Sequence, residues 1–323
     1  MPKVNEIACA TDMRNTGVGT CVVNPTKIVG AFKVPANFSI PDAFATTVSA
    51  LRTYLTESTL KDSVLERIFP VHGFKGYTSS SEELVQATLG YGSQVPVRDG
   101  NYRWTFQFLD GGLCLLKALQ SHNYQSSRWI FYDDQGLLIG WRRQLVTGGS
   151  YDLTGIPTTF HALKWDPSDG ANPASYRLYF DFEPQYINKY LGFLQPGFNP
   201  AEILGLQDIN LVQTGVSAAG VSKIQAKTGC DGSNLYDLTG FSAALASAAL
   251  WTATNPVSGN AITISSVVAD PNTKAFTVTL LNSDPDYPGS AGGEVVIGLV
   301  GPTELDAADI SGYEGRPVTI VRG

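Results

Sequence analysis

Apolar and polar residues alternate most strictly at Tyr102, Trp104, Phe106 and Phe108, with Arg103, Thr105 and Gln107 between them. A period of two puts all four rings on one face of a β-strand. Asp110, Gly111 and Gly112 stop that run. Leu113, Leu115, Leu116 and Leu119 then follow at helical spacing around Lys117 and Gln120. Residues 82–108, the aromatic strand included, read as two β-rich runs around a loop. Two readings of residues 82–109 stay open. The hairpin is either the core of a sandwich, or it extends beyond its own subunit and pairs with neighbours.

The same patterns organise the rest of the chain. Residues 1–41 are rich in turn formers, with short strands expected at Thr20 to Val23, Ile28 to Val34 and Phe38 to Ile40. This stretch is an arm lying across a neighbouring subunit or a meandering segment of the same domain. Asp42 can cap a helix on which Phe44, Val48, Leu51 and Leu55 form one apolar stripe, and further helix is expected from Thr59 to Ile68, ended by Pro70. Arg128 to Phe131 and Leu137 to Arg142 flank a short polar turn, which predicts a β-hairpin. Thr158 to Lys164 and Ser175 to Phe182 read as strands, and Pro184 to Leu194 as a short helix.

Beyond these lie strands at Leu204 to Gln213 and Val221 to Lys227, separated by the small residues Gly215 to Gly220. That is linker chemistry, and it divides the chain into residues 1–214, a linker at 215–221, and residues 222–323. In the last part, Ser242 to Leu250 has helical propensity. Ala261 to Ser265 and Ala275 to Leu280 alternate around an Asp-Pro-Asn-Thr turn, and later strands are expected at Glu294 to Val300 and Pro317 to Val321. Short strands with frequent turns predict a small immunoglobulin-like β-sandwich.

Composition supports a mainly β reading. Charged residues make up only 16% of the 323 positions, and Gly and aromatics are plentiful. The net charge of −7 argues against a dedicated nucleic-acid binder with a basic stripe. No run approaches the ~20 apolar residues of a membrane helix, and the N-terminus lacks the apolar segment of a signal peptide. A soluble protein made in a cytoplasm is the expectation.

Candidate chemistry is sparse. Cys9, Cys21, Cys114 and Cys230 form no CxxC pair; Cys9 and Cys21 could bridge, and Cys114 reads as a small buried hydrophobe. His72, His122 and His161 lie far apart, although Cys114 and His161 remain a formal nucleophilic pair. Asp133 with Asp134, in a turn, and Asp181 with Glu183, on a strand, read as structural rather than as acid/base pairs. The loop DPSDGANP lacks the regular acidic positions of a calcium loop. No nucleophile elbow, phosphate loop or dinucleotide fingerprint is present, so neither an enzyme nor a cofactor is expected.

The helix over Asp42 to Glu57, the run RIFPVHGFKGYTSSSEELVQATLGYGSQVPVRDGNYRWTFQF and the following GGLCLLKAL resemble the tail tube (major tail) proteins of tailed bacteriophages infecting Bacteroidota. The stretch Trp165 to Phe180 and the ending GYEGRPVTIV at Gly312 to Val321 fit the same pattern. The resemblance implies a β-sandwich or barrel with a flanking helix, assembling into stacked hexameric rings. A long hairpin from each subunit would join a continuous barrel, here with Glu83, Val85, Ala87, Val97, Tyr102, Trp104 and Phe106 at the subunit interface. Genomic DNA would pass through the lumen without specific binding, other tail proteins would be partners, and the C-terminal module would decorate the outside. The hairpin mixes Glu82, Glu83 and Asp99 with Arg98 and Arg103. Readings of other classes are a head–tail connector ring, a capsid decoration protein, a glycan-binding module and an unrecognised hydrolase.

Overall fold

The computed structural model describes residues 5–6, 25–41, 47–80, 82, 85–109, 112–144, 151–163, 165–171, 173–188, 190–215, 220–288 and 292–321. The protein is mainly β and divides into two units. Unit 1 comprises Met1–Thr59 and Ser63–Leu204; unit 2 comprises Leu60–Asp62 and Gly205–Gly323.

Unit 1 begins with β1 (Asn5–Glu6), β2 (Ile28–Val34), β3 (Ser39–Ile40) and α1 (Val48–Thr59). Next come β4 (Phe69–His72), β5 (Phe74–Ser79), β6 (Val85–Thr88), β7 (Gln94–Arg98), β8 (Tyr102–Phe108) and α2 (Gly112–Gln120). It continues with β9 (Ser126–Asp133), β10 (Leu138–Gln144), β11 (Tyr151–Thr154), β12 (Ile156–Ala162), β13 (Tyr176–Phe182), α3 (Pro184–Asn188) and β14 (Leu191–Leu194).

The pairings of unit 1 close on themselves. β2 lies between β4 and β9, β9 pairs β12, β12 pairs β13, β13 pairs β8, and β8 pairs β5. β4 runs through Gly73 directly into β5, and the Gly73 N–H still donates to Val29 O at 3.1 Å. The circuit returns to β2 as a barrel, the arrangement that removes open sheet edges. Gly73 has φ 86°, a conformation that suits glycine where one strand bends between two neighbours.

Alternation fills this barrel. On β9, Trp129 and Phe131 face the interior with Phe106, Phe108, Phe160, Phe180 and Phe182. Ring pairs lock it, among them Phe74–Phe106 at 4.6 Å and Trp104–Phe182 at 4.7 Å. Each such pair contributes about 0.5–1.5 kcal/mol beyond its buried area. Leu116 and Leu119 of α2 add to the same interior cluster.

The intervening residues of β2 and β9 serve a second layer. Phe32, Val34, Ile130 and Tyr132 turn outward and meet Leu51 and Leu55 of α1 together with Leu138, Leu153 and Leu194. β10, β11, β14 and β3 form this outer sheet. Gly155 joins β11 to β12, where the chain passes from the outer sheet into the barrel. A Cβ there would lie 2.5 Å from Val34 Cγ2 and 2.7 Å from Arg128 Cβ, so the crossing needs glycine.

Several expectations are corrected in unit 1. Helix α1 ends at Thr59, and residues 60–66 are bends and turns rather than a second helix. Leu65 is 85% exposed, so no apolar face is buried there. Of the apolar residues in this stretch only Ile68 is buried, its N–H bonded to Ser58 O. Helix α3 stops at Asn188, and residues 191–194 are strand because β10 offers them an edge, with Leu138 opposite Leu194. Asn5 and Glu6 pair with Phe193 and Gly192 of β14 in their own chain. The strand expected at Thr20 to Val23 and the helix cap at Asp42 lie outside the described residues.

Unit 2 contains β15 (Gln207–Gln213), β16 (Val221–Thr228), α4 (Phe241–Ala244), β17 (Trp251–Thr254), β18 (Ile264–Asp270) and β19 (Ala275–Leu280). It ends with β20 (Glu294–Leu299), α5 (Pro302–Ala307), β21 (Tyr313–Arg316) and β22 (Val318–Val321). One sheet runs β18-β19-β16-β15-β21 and the other β17-β20-β22. Ile209, Ile224, Phe276 and Val278 from the first share a core with Trp251, Val295, Ile297 and Ile320 from the second, a two-sheet sandwich. The Ala-rich stretch forms only α4 and a 3-10 turn at Ala248–Leu250. Trp251 then pins the chain, its indole donating to Leu245 O at 2.8 Å.

The expected linker at 215–221 is not where the units part. Residues 209–213 of β15 pair antiparallel with 224–228 of β16, so the small-residue stretch lies within a strand connection of unit 2. The division falls at Leu204 and Gly205 instead.

Candidate assembly surface

The β5–β8 hairpin does not end where the barrel does. Past Ser79 the ladder continues through Ser80 N–H to Arg103 O at 3.0 Å and Glu82 N–H to Asn101 O at 2.9 Å. β6 and β7 then pair as a two-stranded ribbon, with Ala87 opposite Val95 and a register shift between Val85 and Gln86. Leu89 N–H donates to Ser93 O, and Gly92 N–H to Leu89 O, which closes the tip.

Charges fix the ribbon's base. Glu82 Oε2 accepts from Asn101 N–H at 3.1 Å and from Arg98 Nη1 at 3.3 Å. These bonds, the backbone one first, hold the Glu82 carboxyl below its usual range. Arg103 is bidentate to Asp181, at 2.6 and 2.9 Å, and lies over the Tyr179 ring.

The ribbon itself is bare. Every residue of β7 is exposed. Val97 is 63% exposed, Leu89 54%, and Tyr91 fully exposed. Among the described residues neither β6 nor β7 has a second neighbour. An isolated two-stranded hairpin is marginal in water, and unpaired edges beside apolar side chains invite another chain.

The expected interface residues therefore separate into two sets. Val85, Ala87 and Val97 lie on the ribbon. Glu83 lies outside the described residues. Tyr102, Trp104 and Phe106 are corrected: they belong to β8, whose two edges are taken by β13 and β5 of the same chain. Phe106 is fully buried, and Tyr102 and Trp104 pack against the barrel interior. Leu89, Tyr91 and Val95 were missed. Their signal was apolar residues set among Gly90, Gly92, Gln94 and Pro96, where a solvated loop would be polar.

The other candidate groups have structural partners. The Asp133 carboxylate accepts from Thr26 N–H and hydroxyl, both at 3.0 Å, and from the N–H groups of Gln135 and Leu137. It organises the β9–β10 turn. Asp166 pairs with Arg177 at 2.7 Å, and Glu183 accepts from Gln185. His72 accepts from the Tyr132 hydroxyl and donates to Ile203 O at 2.8 Å. Cys114 and Cys230 are both disulfide-bonded, so Cys114 is neither a free hydrophobe nor a thiolate nucleophile for His161, which packs edge-on against Tyr124. Cys9 and Cys21 lie outside the described residues.

Among the described residues no group of three or more His, Cys, Asp or Glu side chains is placed to hold a metal. No helix among them is long and apolar enough to cross a membrane. The chain matches no protein-family model, and no curated protein matches its sequence.

Proposed function

We propose that the chain is a structural subunit of a phage tail, self-assembling through its ribbon into stacked hexameric rings that form the tail tube. The observation that carries this reading is the bare β6–β7 ribbon standing beyond a filled, closed barrel. Strand addition at such edges supplies backbone hydrogen bonds, and alternate side chains supply specificity. Burial of Leu89, Tyr91, Val95 and Val97 adds roughly 25 cal/mol per Å², before the entropy costs of association. DNA passes through the lumen, other tail proteins cap the tube, and the sandwich of unit 2 serves as an immunoglobulin-like decoration outside it. The site of action is the virion tail.

The test is electron microscopy and sedimentation of the purified chain beside a variant in which residues 84–99 are replaced by an Asn-Gly turn. The intact chain is expected to form rings or tubes, and the shortened one folded monomers. A monomeric intact chain, or rings that persist without the ribbon, overturns the reading.

A further inference from the structure

Lys33 sits on β2 with Phe69 of β4 opposite it on one side and Trp129 of β9 on the other. Its Nζ lies 2.7 Å from Nδ1 of His122, in the turn after α2. The Phe69 ring flanks both groups, 6.0 Å from Lys33 Nζ and 5.8 Å from the imidazole. No carboxylate pairs with Lys33 among the described residues, although lysines usually find one or stay in water. Lys33, His122 and Phe69 are each half-buried, so the amine is partly shielded and still reachable.

We infer that Lys33 is an acyl-acceptor site, its amine taking an acyl group from an activated acyl donor while His122 receives the amine proton. In the step, the amine in its neutral form, its ammonium proton having passed to solvent, attacks the acyl carbon through Nζ and an N–C bond forms. The bond from that carbon to the leaving group breaks, and the leaving group departs with the electron pair. The Nζ proton passes to His122 Nδ1 and then to the leaving group. The product is a neutral amide, which relieves the desolvation of a cation held against an aromatic ring.

Two further properties of the pair fit. Burial lowers the Lys33 amine from its ordinary range, and burial, followed by the charge of Lys33, lowers the His122 imidazole. A neutral imidazole beside a desolvated amine is the arrangement that activates lysine nucleophiles. The other group acting on His122 is Gln125, which carries no charge.

The test is brief treatment of the intact protein with N-succinimidyl acetate across pH 6–9, with each lysine followed by peptide mass spectrometry. Lys27 and Lys117, exposed in the same unit, are the reference amines. Lys33 is expected to acetylate at least about threefold faster than either near neutral pH, with its reactivity rising at lower pH than theirs. His122→Gln is expected to remove that advantage while the circular-dichroism melt is retained. Lys33 reacting no faster than the references overturns the proposal, as does an undiminished advantage in folded His122→Gln. The pH profile of the unsubstituted chain decides the matter if the variant does not fold.

Discussion

At the scale of the residue, close contacts decide what each side chain is for. Asp133 is 2% exposed and accepts from three backbone N–H groups and a hydroxyl. Asp133→Ala strands those donors, and urea unfolding is expected to show a loss of about 3 kcal/mol, the scale of bonds to a buried charge. Neighbouring acids were legible in the sequence as a turn, but not the reach of Thr26 to them. Gly155 makes the converse case. Its missing Cβ is the space taken by Val34, Arg128 and the Trp129 backbone. Gly155→Ala is expected to cost at least about 1–3 kcal/mol by overpacking, measured by the shift in denaturation midpoint. Nothing local marked that glycine, because the atoms that exclude a side chain come from β2 and β9.

At the scale of the element, the aromatic alternation of β8 was readable and its destination was not. The period of two placed Tyr102, Trp104, Phe106 and Phe108 on one face; β13 and β5 decided that this face belongs to the barrel's own interior. Phe106→Ala is therefore expected to destabilise the monomer by about 3–5 kcal/mol. Val97→Asp, on the bare ribbon, is expected to leave the monomer's melting unchanged and to abolish assembly in sedimentation. Hydrogen exchange distinguishes the two segments directly: 102–108 protected in the monomer, 85–98 protected only on assembly. His72 on β4 and His122 in the turn after α2 also confer a pH response. Desolvation first, in both cases, lowers the His72 and His122 pKa values below the ordinary 6.5. The unfolded chain then binds the more protons, so this stability is present above about pH 6.5 and is lost as pH falls through the lowered folded values. Urea midpoints of unit 1 are expected to drop between pH 7 and pH 5, and to drop less in His72→Gln. A midpoint that stays flat over that range removes the half-buried neutral imidazoles from the account.

At the scale of the whole molecule, the two-unit division predicts where the chain can be cut. β15 lies between β16 and β21 in unit 2 and contributes Ile209 and Leu211 to its core. A fragment of residues 205–323 is expected to melt cooperatively on its own, whereas a fragment of 222–323 loses a central strand and is expected to show no sharp transition. Two comparable melts contradict the division at Gly205. Acid should act on unit 2 in a lower range than on unit 1. Asp231, Asp270 and Asp284 are held below 3.8 by hydrogen bonds, first from Thr228, Thr273 and Thr263 respectively, so their contribution fades only as pH falls below that value. The sequence alone determined that the chain is mainly β. It also placed β2, β8, β9, β12, β13 and β19, and marked the β9–β10 and β18–β19 turns, because side-chain period and turn chemistry are local properties. Tertiary structure alone decided that β4 bends at Gly73 to close the barrel, that residues 191–194 are strand, that Gly215 to Gly220 join two paired strands, and that the ribbon stands clear while β8 does not. Each of these depends on which distant segment offers a free edge or a buried face. The free energy of such a match belongs to the pair of segments, so neither one carries it in its own residues.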